Sequence, residues 1–279
     1  MAIQFTDHGS PIPNGNLLIV DGFNIIWRWV HAKKYDFQFD FIRTVESLAK
    51  SYNCGGIVVL GDGGSHYRKD LYPQYKANRT EKLVDQTEEE RQTFQEILEE
   101  FDLSLKGFQE RGIPTLRFGG VEADDIAAYI VQKKEDYNIN EIWLISSDKD
   151  WDLLVQDDVS RFSTVTRKET TSLNWDEHYE VEPKMYLTFK CLTGDKGDNI
   201  PGIKGIGPKR AAQIIQQYGD VYDIYNSCPI ESRYKFVQEL NNNKELLLLN
   251  AELMDLETYS ETALGKHTQV VDDIIGNYI

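Results

Sequence analysis

The chain has 279 residues, 41% of them apolar, and 46 acidic against 30 basic side chains give a net charge of −16. That length suits one large α/β domain with a smaller one appended, and no apolar run approaches the roughly 20 residues of a membrane span. Taken alone, the charge argues against a nucleic-acid partner, which normally meets a basic face.

Residues 1–16 are polar and turn-rich and read as a loose leader, without the charged, apolar, then small-residue pattern of a signal peptide. Cys54, Cys191 and Cys228 are odd in number, far apart and outside any CxxC pair. They point to a reducing, cytoplasmic setting with neither a disulfide framework nor a thiolate zinc site. The five histidines are scattered. With no HExxH, GxSxG or GxxxxGK[ST], zinc protease, α/β-hydrolase and P-loop readings lose their usual support.

In chain order, Leu17–Val20, Ile57–Leu60, the weaker Pro114–Phe118 and Ile142–Ile145 read as buried parallel strands. Helical patterns lie between them, so the expected fold is α/β, a mostly parallel twisted sheet flanked by helices. Residues 72–86 are polar and basic with little periodicity, as in an insertion over a site. Thr87 and Glu90 form a capping box ahead of a helix with Phe94, Ile97, Leu98, Phe101, Leu105 and Phe108 on one stripe, closed by Gly112 and Pro114. After about residue 183 strand signals give way to short helices, two of them separated by Gly202 through Pro208. Residues 254–279 carry little signal.

Each strand candidate runs into acid: the first into Asp21, the second into Asp62, the weak one into Glu122, Asp124 and Asp125, the last into Asp148 and Asp150. Ligands of an open parallel sheet bind outside the carboxyl ends of its strands. Glu122 and Asp125 share a face at a helix start; Asp148 and Asp150 point the same way if the chain stays extended; Asp195 and Asp198 offer a further pair. Taken singly, each reads better as a turn residue or as an acid on a helix dipole. Those readings do not predict four strands ending alike. Two carboxylates ~4 Å apart repel by roughly 4 kcal/mol at an effective dielectric near 20, so such a cluster needs cations. All-oxygen ligation selects magnesium or manganese, and two such ions suit in-line phosphoryl displacement.

Pro201 through Ala211 has helix, glycine turn, helix form. Gly205 and Gly207 allow close phosphate approach, and Lys204, Lys209 and Arg210 add charge at the next helix start. A plain helix hairpin fits equally well without the acidic cluster. Lys76 and Arg79 could reach a scissile phosphate, and Tyr75 could stack on an unpaired base; spacing alone favours a solvated basic loop, followed by Lys82. Setting aside the nine proposed ligands removes more than half of the excess negative charge and leaves local basic patches.

The segments Ile19–Asn24, Val59–Asp62, Tyr75–Arg79, Gly120–Asp125, Ser147–Asp152 and Gly194–Arg210 are similar, in order and spacing, to the 5′-nuclease (flap endonuclease) superfamily. They most resemble its phage flap endonuclease and 5′-3′ exonuclease group and the 5′-nuclease domain of bacterial DNA polymerase I. The resemblance implies a PIN-like nuclease domain over 17–182, with the nine acids holding two or more magnesium or manganese ions. It implies a helical arch at about 72–112 that passes a single-stranded 5′ end, with Lys76 and Arg79 at the scissile phosphate and Tyr75 on a base. It implies a helix–three-turn–helix within 183–279 that grips duplex DNA, often with potassium. The implied activity is cleavage of 5′-flap or branched DNA, 5′→3′ exonuclease action, and in some members attack on RNA in hybrids, in replication or repair. A monomer acting on DNA, without membrane or small-molecule substrate, is expected, in a host cytoplasm if phage-encoded. Lys196 stands where the family varies and could pair with Asp195. The rival readings are a structure-specific DNA binder without catalysis and a PIN-like ribonuclease.

Overall fold

A computed structural model describes residues 14–79 and 85–279, so the expected leader, apart from its last three residues, and Lys82 lie outside the described residues. Two compact units result. The first comprises residues up to His66, Gln86–Ser172 and Leu256–Ile279; the second comprises Tyr67–Asp85 and Leu173–Asp255.

The first unit is built on a six-stranded sheet: β1 (Asn16–Asp21), β2 (Gly56–Leu60), β3 (Thr115–Leu116), β4 (Glu141–Ile145), β5 (Val159–Phe162) and β6 (Glu169–Thr170), in the order β3-β2-β1-β4-β5-β6. All neighbours run parallel except β5 and β6. β1 and β2 are buried at nearly every position, which is why they read as apolar runs rather than alternations. On one face lie the helices Gly22–His31, Gln38–Ser51 and Glu88–Gln109, closing over Leu18, Val20, Val59, Phe41, Phe101 and Phe108. On the other, Ala123–Gln132, Leu256–Leu264 and Thr268–Tyr278 close over Leu17, Ile19, Val58 and Leu144.

Two boundaries differ from the sequence expectation. Residues 256–279, expected with the helical DNA-binding region, belong to the sheet domain. Leu256, Leu264, Val271 and Ile275 are buried in its core, and Asp272 accepts hydrogen bonds from the hydroxyls of Tyr129 (3.0 Å) and Tyr137 (2.5 Å). The expected arch over 72–112 divides as well. Thr87 and Glu90 do form the capping box of the helix Glu88–Gln109. From Ile97 onward, however, that helix buries Ile97, Phe101 and Phe108, so its second half is a core helix, while Tyr72–Arg79 belong to the second unit. β5 and β6 escaped the sequence pattern because β5 carries the charged Arg161 in its middle.

The second unit is helical: Tyr186–Thr193, Pro208–Tyr218, Val221–Ser227, Lys235–Asn242 and Glu245–Met254, with a short antiparallel hairpin, Gly194–Asp195 against Ile200–Pro201. The hairpin intervenes between the first helix and the glycine turn, so the turn is not the direct helix-to-helix link its spacing suggests. Among the described residues no helix is long and apolar enough to cross a membrane. The three cysteines are buried and free.

Candidate active site

The first seven predicted acids all lie in the first unit, at or after the carboxyl ends of β1, β2, β3 and β4. Asp21 ends β1 and caps the next helix, accepting the Asn24 N–H at 3.1 Å. Gly22 follows because the backbone passes Leu60 and Phe101 closely: a Cβ there would stand 2.7 Å from the Leu60 carbonyl oxygen. Ser146, at the end of β4, donates its hydroxyl to Asp21 Oδ2 at 2.8 Å and accepts the Asp148 N–H at 3.1 Å. The loops after β2 and β3 are zipped by backbone bonds from Gly63 to Val121, Gly120 to Gly63 and His66 to Gly120. Arg117 Nε also donates to the Asp62 carbonyl at 3.2 Å. This joins the Asp62 loop to the segment presenting Glu122, Asp124 and Asp125. Glu122 and Asp125 are buried at the start of the helix Ala123–Gln132. Trp151 Nε1 donates to Asp124 Oδ1 at 2.6 Å, tying that helix to the turn that carries Asp150.

Asp148 and Asp150 depart from the extended geometry expected of them. Asp148 caps a 3₁₀ turn, Lys149–Leu154, and accepts the Asp150 N–H at 3.0 Å. The carboxyl of Asp21 is perturbed by its surroundings. Burial pushes its carboxyl from 3.8 up to about 7; the Asn24 N–H and Ser146 hydroxyl pull it down, and the charges of Asp148 and Asp62 push it further up. A buried carboxylate facing two others is an environment that a cation completes. Among the described residues no group of three or more His, Cys, Asp or Glu side chains forms a ready-made ion cage. The fit rests on the donor set, which is all carboxylate and matches hard divalent ions.

The supporting layer went unread in the sequence. Arg161 and Asp152 form a buried ion pair, with Arg161 Nη2 2.7 Å from Asp152 Oδ2. Arg161 Nη1 also donates to the Ser146 carbonyl at 3.0 Å, fixing the residue that holds Asp21. Asn24 accepts the Ser147 N–H at 2.8 Å. Asn24, Ser147, Trp151 and Asp152 lie inside the quoted motifs, yet nothing in their spacing announces these partners.

In the second unit, Asp195 and Asp198 sit in the hairpin. Asp195 Oδ1 accepts the N–H groups of Gly197 (2.7 Å) and Asp198 (3.2 Å). Its partner is Lys190, at 3.1 Å from Oδ2, rather than Lys196. Burial pushes the Asp195 carboxyl up, but the Lys190 charge and hydrogen bond together with the two backbone donors outweigh it and hold the carboxyl below its usual range. Asp198 is engaged at both oxygens: Arg79 Nη2 reaches Oδ1 at 2.6 Å, the Tyr75 hydroxyl reaches Oδ2 at 3.1 Å, and Lys76 Nζ stands 3.5 Å away. The basic insertion is therefore organised by an acid that sequence reading assigned to metal. Tyr75 also departs from expectation. It is only 3% exposed, with its hydroxyl bonded, so it braces Asp198 instead of presenting a face to a base. Asn78 Nδ2 reaches the carbonyls of Lys196 (3.2 Å) and Gly197 (3.3 Å), clamping the same turn.

In the glycine turn, Lys204, Gly205, Gly207, Lys209 and Arg210 are exposed, while Ile203 and Ile206 are buried and anchor the loop. Gly205 has φ +83°, which favours glycine, and Gly207 caps the helix Pro208–Tyr218, leaving its first N–H groups toward solvent. Arg210 Nη1 donates to the Gly205 carbonyl at 2.5 Å. In the first unit, Arg28, Arg43 and Arg167 line a second basic cleft. An acidic chain thus carries local basic patches.

The comparisons fit this geometry. The family models described as 5′-3′ exonuclease, N-terminal resolvase-like domain, and 5′-3′ exonuclease, C-terminal SAM fold, match residues 16–184 and 181–272. The flap endonuclease of Escherichia phage T5 is 43% identical over 265 residues, covering 92% of this chain and 89% of that protein. The 5′-3′ exonuclease of Aquifex aeolicus is 31% identical, covering 90% and 84%. The structure of T5 5′-exonuclease with divalent zinc ions bound matches with a TM-score of 0.88 at 40% identity, covering 95% of this chain and all of that one. T5 flap endonuclease in a pseudo-enzyme-product complex with DNA and metal ions matches with a TM-score of 0.85 at 39% identity, covering 94% and 97%. The mostly parallel sheet, the acids along its carboxyl edge and both family models agree: this chain belongs to the 5′-3′ exonuclease family.

Proposed function

We propose that the chain is a magnesium-dependent, structure-specific 5′ nuclease that cuts phosphodiester bonds in 5′-flap or branched DNA and degrades DNA from 5′ ends, in replication or repair. The observation that carries this reading is Asp21, buried at a strand end and held there by the Ser146 hydroxyl and the Asn24 N–H, with further acids following the neighbouring strands. The seven first-unit carboxylates would hold magnesium or manganese. When bound, such ions supply an activated water and offset charge on the phosphate oxygens. Asp195 and Asp198 would act as ligands only by exchanging Lys190 and Arg79 for an ion. Ser146 and Asn24 keep Asp21 oriented. Lys76 and Arg79 stabilise developing charge on the scissile phosphate once they leave Asp198. Lys204, Lys209, Arg210 and the N–H groups after Gly207 bind duplex phosphates without reading sequence, and potassium would be held at the same turn. The localisation that fits is the cytoplasm, a host's if the chain is phage-encoded.

The test is a labelled 5′-flap duplex with magnesium, against chelator and against single-stranded RNA. Cleavage near the junction supports the reading. Binding without product at any enzyme concentration would return the non-catalytic binder, and preference for the RNA would return the ribonuclease.

A further inference from the structure

Beside the glycine turn, in the same unit, a groove of about 630 Å³ runs between the helix Pro208–Tyr218 and the segment from Ile230 to Leu240. Its floor is apolar, from Ile214, Val237 and Leu240. Its rim is aromatic and basic. Tyr234 is 56% exposed and stacks on Phe236, with ring centroids 5.7 Å apart and planes within 20°. Arg210 lies over the Phe236 ring at 4.6 Å, and Arg233 over the Tyr234 ring at 5.7 Å. Along the helix wall stand the amides of Gln213, Gln216 and Gln217; Glu231 is the only carboxylate lining the groove.

We infer that this groove receives an unpaired nucleobase from a strand that continues past the duplex gripped by the glycine turn. Each part of a stacked nucleotide meets its counterpart. The exposed Tyr234 ring, with Arg233 over it and Arg210 over the neighbouring Phe236, offers a stacking surface for any base. Glutamine amides carry both donors and acceptors and suit base edges of either polarity. The phosphate is met by Arg210, which also touches the Gly205 carbonyl, so the groove is continuous with the phosphate-binding turn. A large exposed tyrosine in a basic surround on an acidic protein fits an anionic, planar ligand better than a peptide or a second copy of this equally acidic chain. The inference rests on the duplex-gripping role of the turn and adds a site for single-stranded DNA to it.

The test is equilibrium binding of the full chain, in chelator at fixed salt, to a blunt duplex and to the same duplex with a single-stranded extension on either strand. The parent should bind one extended duplex about tenfold more tightly than the blunt one, the scale of a single stacked base. Tyr234→Ala should lose that gain and keep blunt-duplex affinity, whereas Tyr234→Phe, which retains the ring, should keep the gain. Equal melting temperatures of the variants establish that all are folded. If the parent gains nothing from an extension, or if Tyr234→Ala retains the gain, the groove is not a base site although the duplex-gripping role stands. If the parent fails to bind even the blunt duplex, both readings fall.

Discussion

Ser146 Oγ donates to Asp21 Oδ2 across 2.8 Å, and the two residues belong to the ends of neighbouring parallel strands, where Val20 pairs with Ile145. Strand register thus sets a neutral donor against a buried carboxylate whose proton affinity burial raises. A second partner that orients a ligand typically changes metal affinity by about 10–100-fold when removed. Ser146→Ala should accordingly weaken magnesium affinity by about tenfold, with little change in the melting temperature of the metal-free protein. Calorimetric titration checks it, and unaltered affinity would show that the hydroxyl only fills space.

The raised Asp21 carboxyl makes metal-free stability depend on pH. Its folded pKa of about 7 stands above the ordinary 3.8, so the folded state holds the proton more tightly. That stabilisation is complete below the lower value and is lost as pH rises through about 7. In excess chelator, the melting temperature of the parent relative to Asp21→Asn should fall by a few degrees between about pH 4 and pH 8. Asp148→Asn, which removes a repelling neighbour, should raise stability in chelator at pH 8. Magnesium should stabilise the parent more than either variant, because each variant lacks one proposed ligand. Parallel melting curves for parent and Asp21→Asn across that range would refute the linkage.

Lys76 and Arg79 stand on one acid, yet their proposed role is at phosphate. Lys76→Ala should slow single-turnover flap cleavage by about 10²–10³, the range for losing one charge-stabilising group, while flap binding stays nearly unchanged. Single-turnover rates equal to those of the parent would leave Lys76 as a structural partner of Asp198 only.

The Arg161–Asp152 pair is buried, so its loss should act on the fold before the chemistry. Arg161→Met removes the buried charge paired with Asp152 and should cost about 3–5 kcal/mol, measured by urea unfolding. Adding Asp152→Leu should recover much of that loss. Cleavage should remain depressed in the double variant, because the Ser146 carbonyl loses its donor. Full activity there would remove Arg161 from the support of the site.

The sequence by itself determined the sheet domain and its edge. Apolar runs too dense for a half-exposed strand marked β1, β2 and β4, because a parallel strand buried on both faces is a local signal, and an acid follows each run. Motif order likewise identified the glycine turn and the capping box at Thr87. Tertiary structure alone decided which partner each charge has. Asp195 pairs with Lys190, Asp198 with Tyr75 and Arg79, and Arg161 with Asp152, since such pairings depend on where distant segments meet and leave no periodicity behind. It also returned residues 256–279 to the sheet and buried the second half of the helix Glu88–Gln109. An amphipathic stripe shows that a helix must bury one face; which surface it covers is settled by the packing of the whole chain.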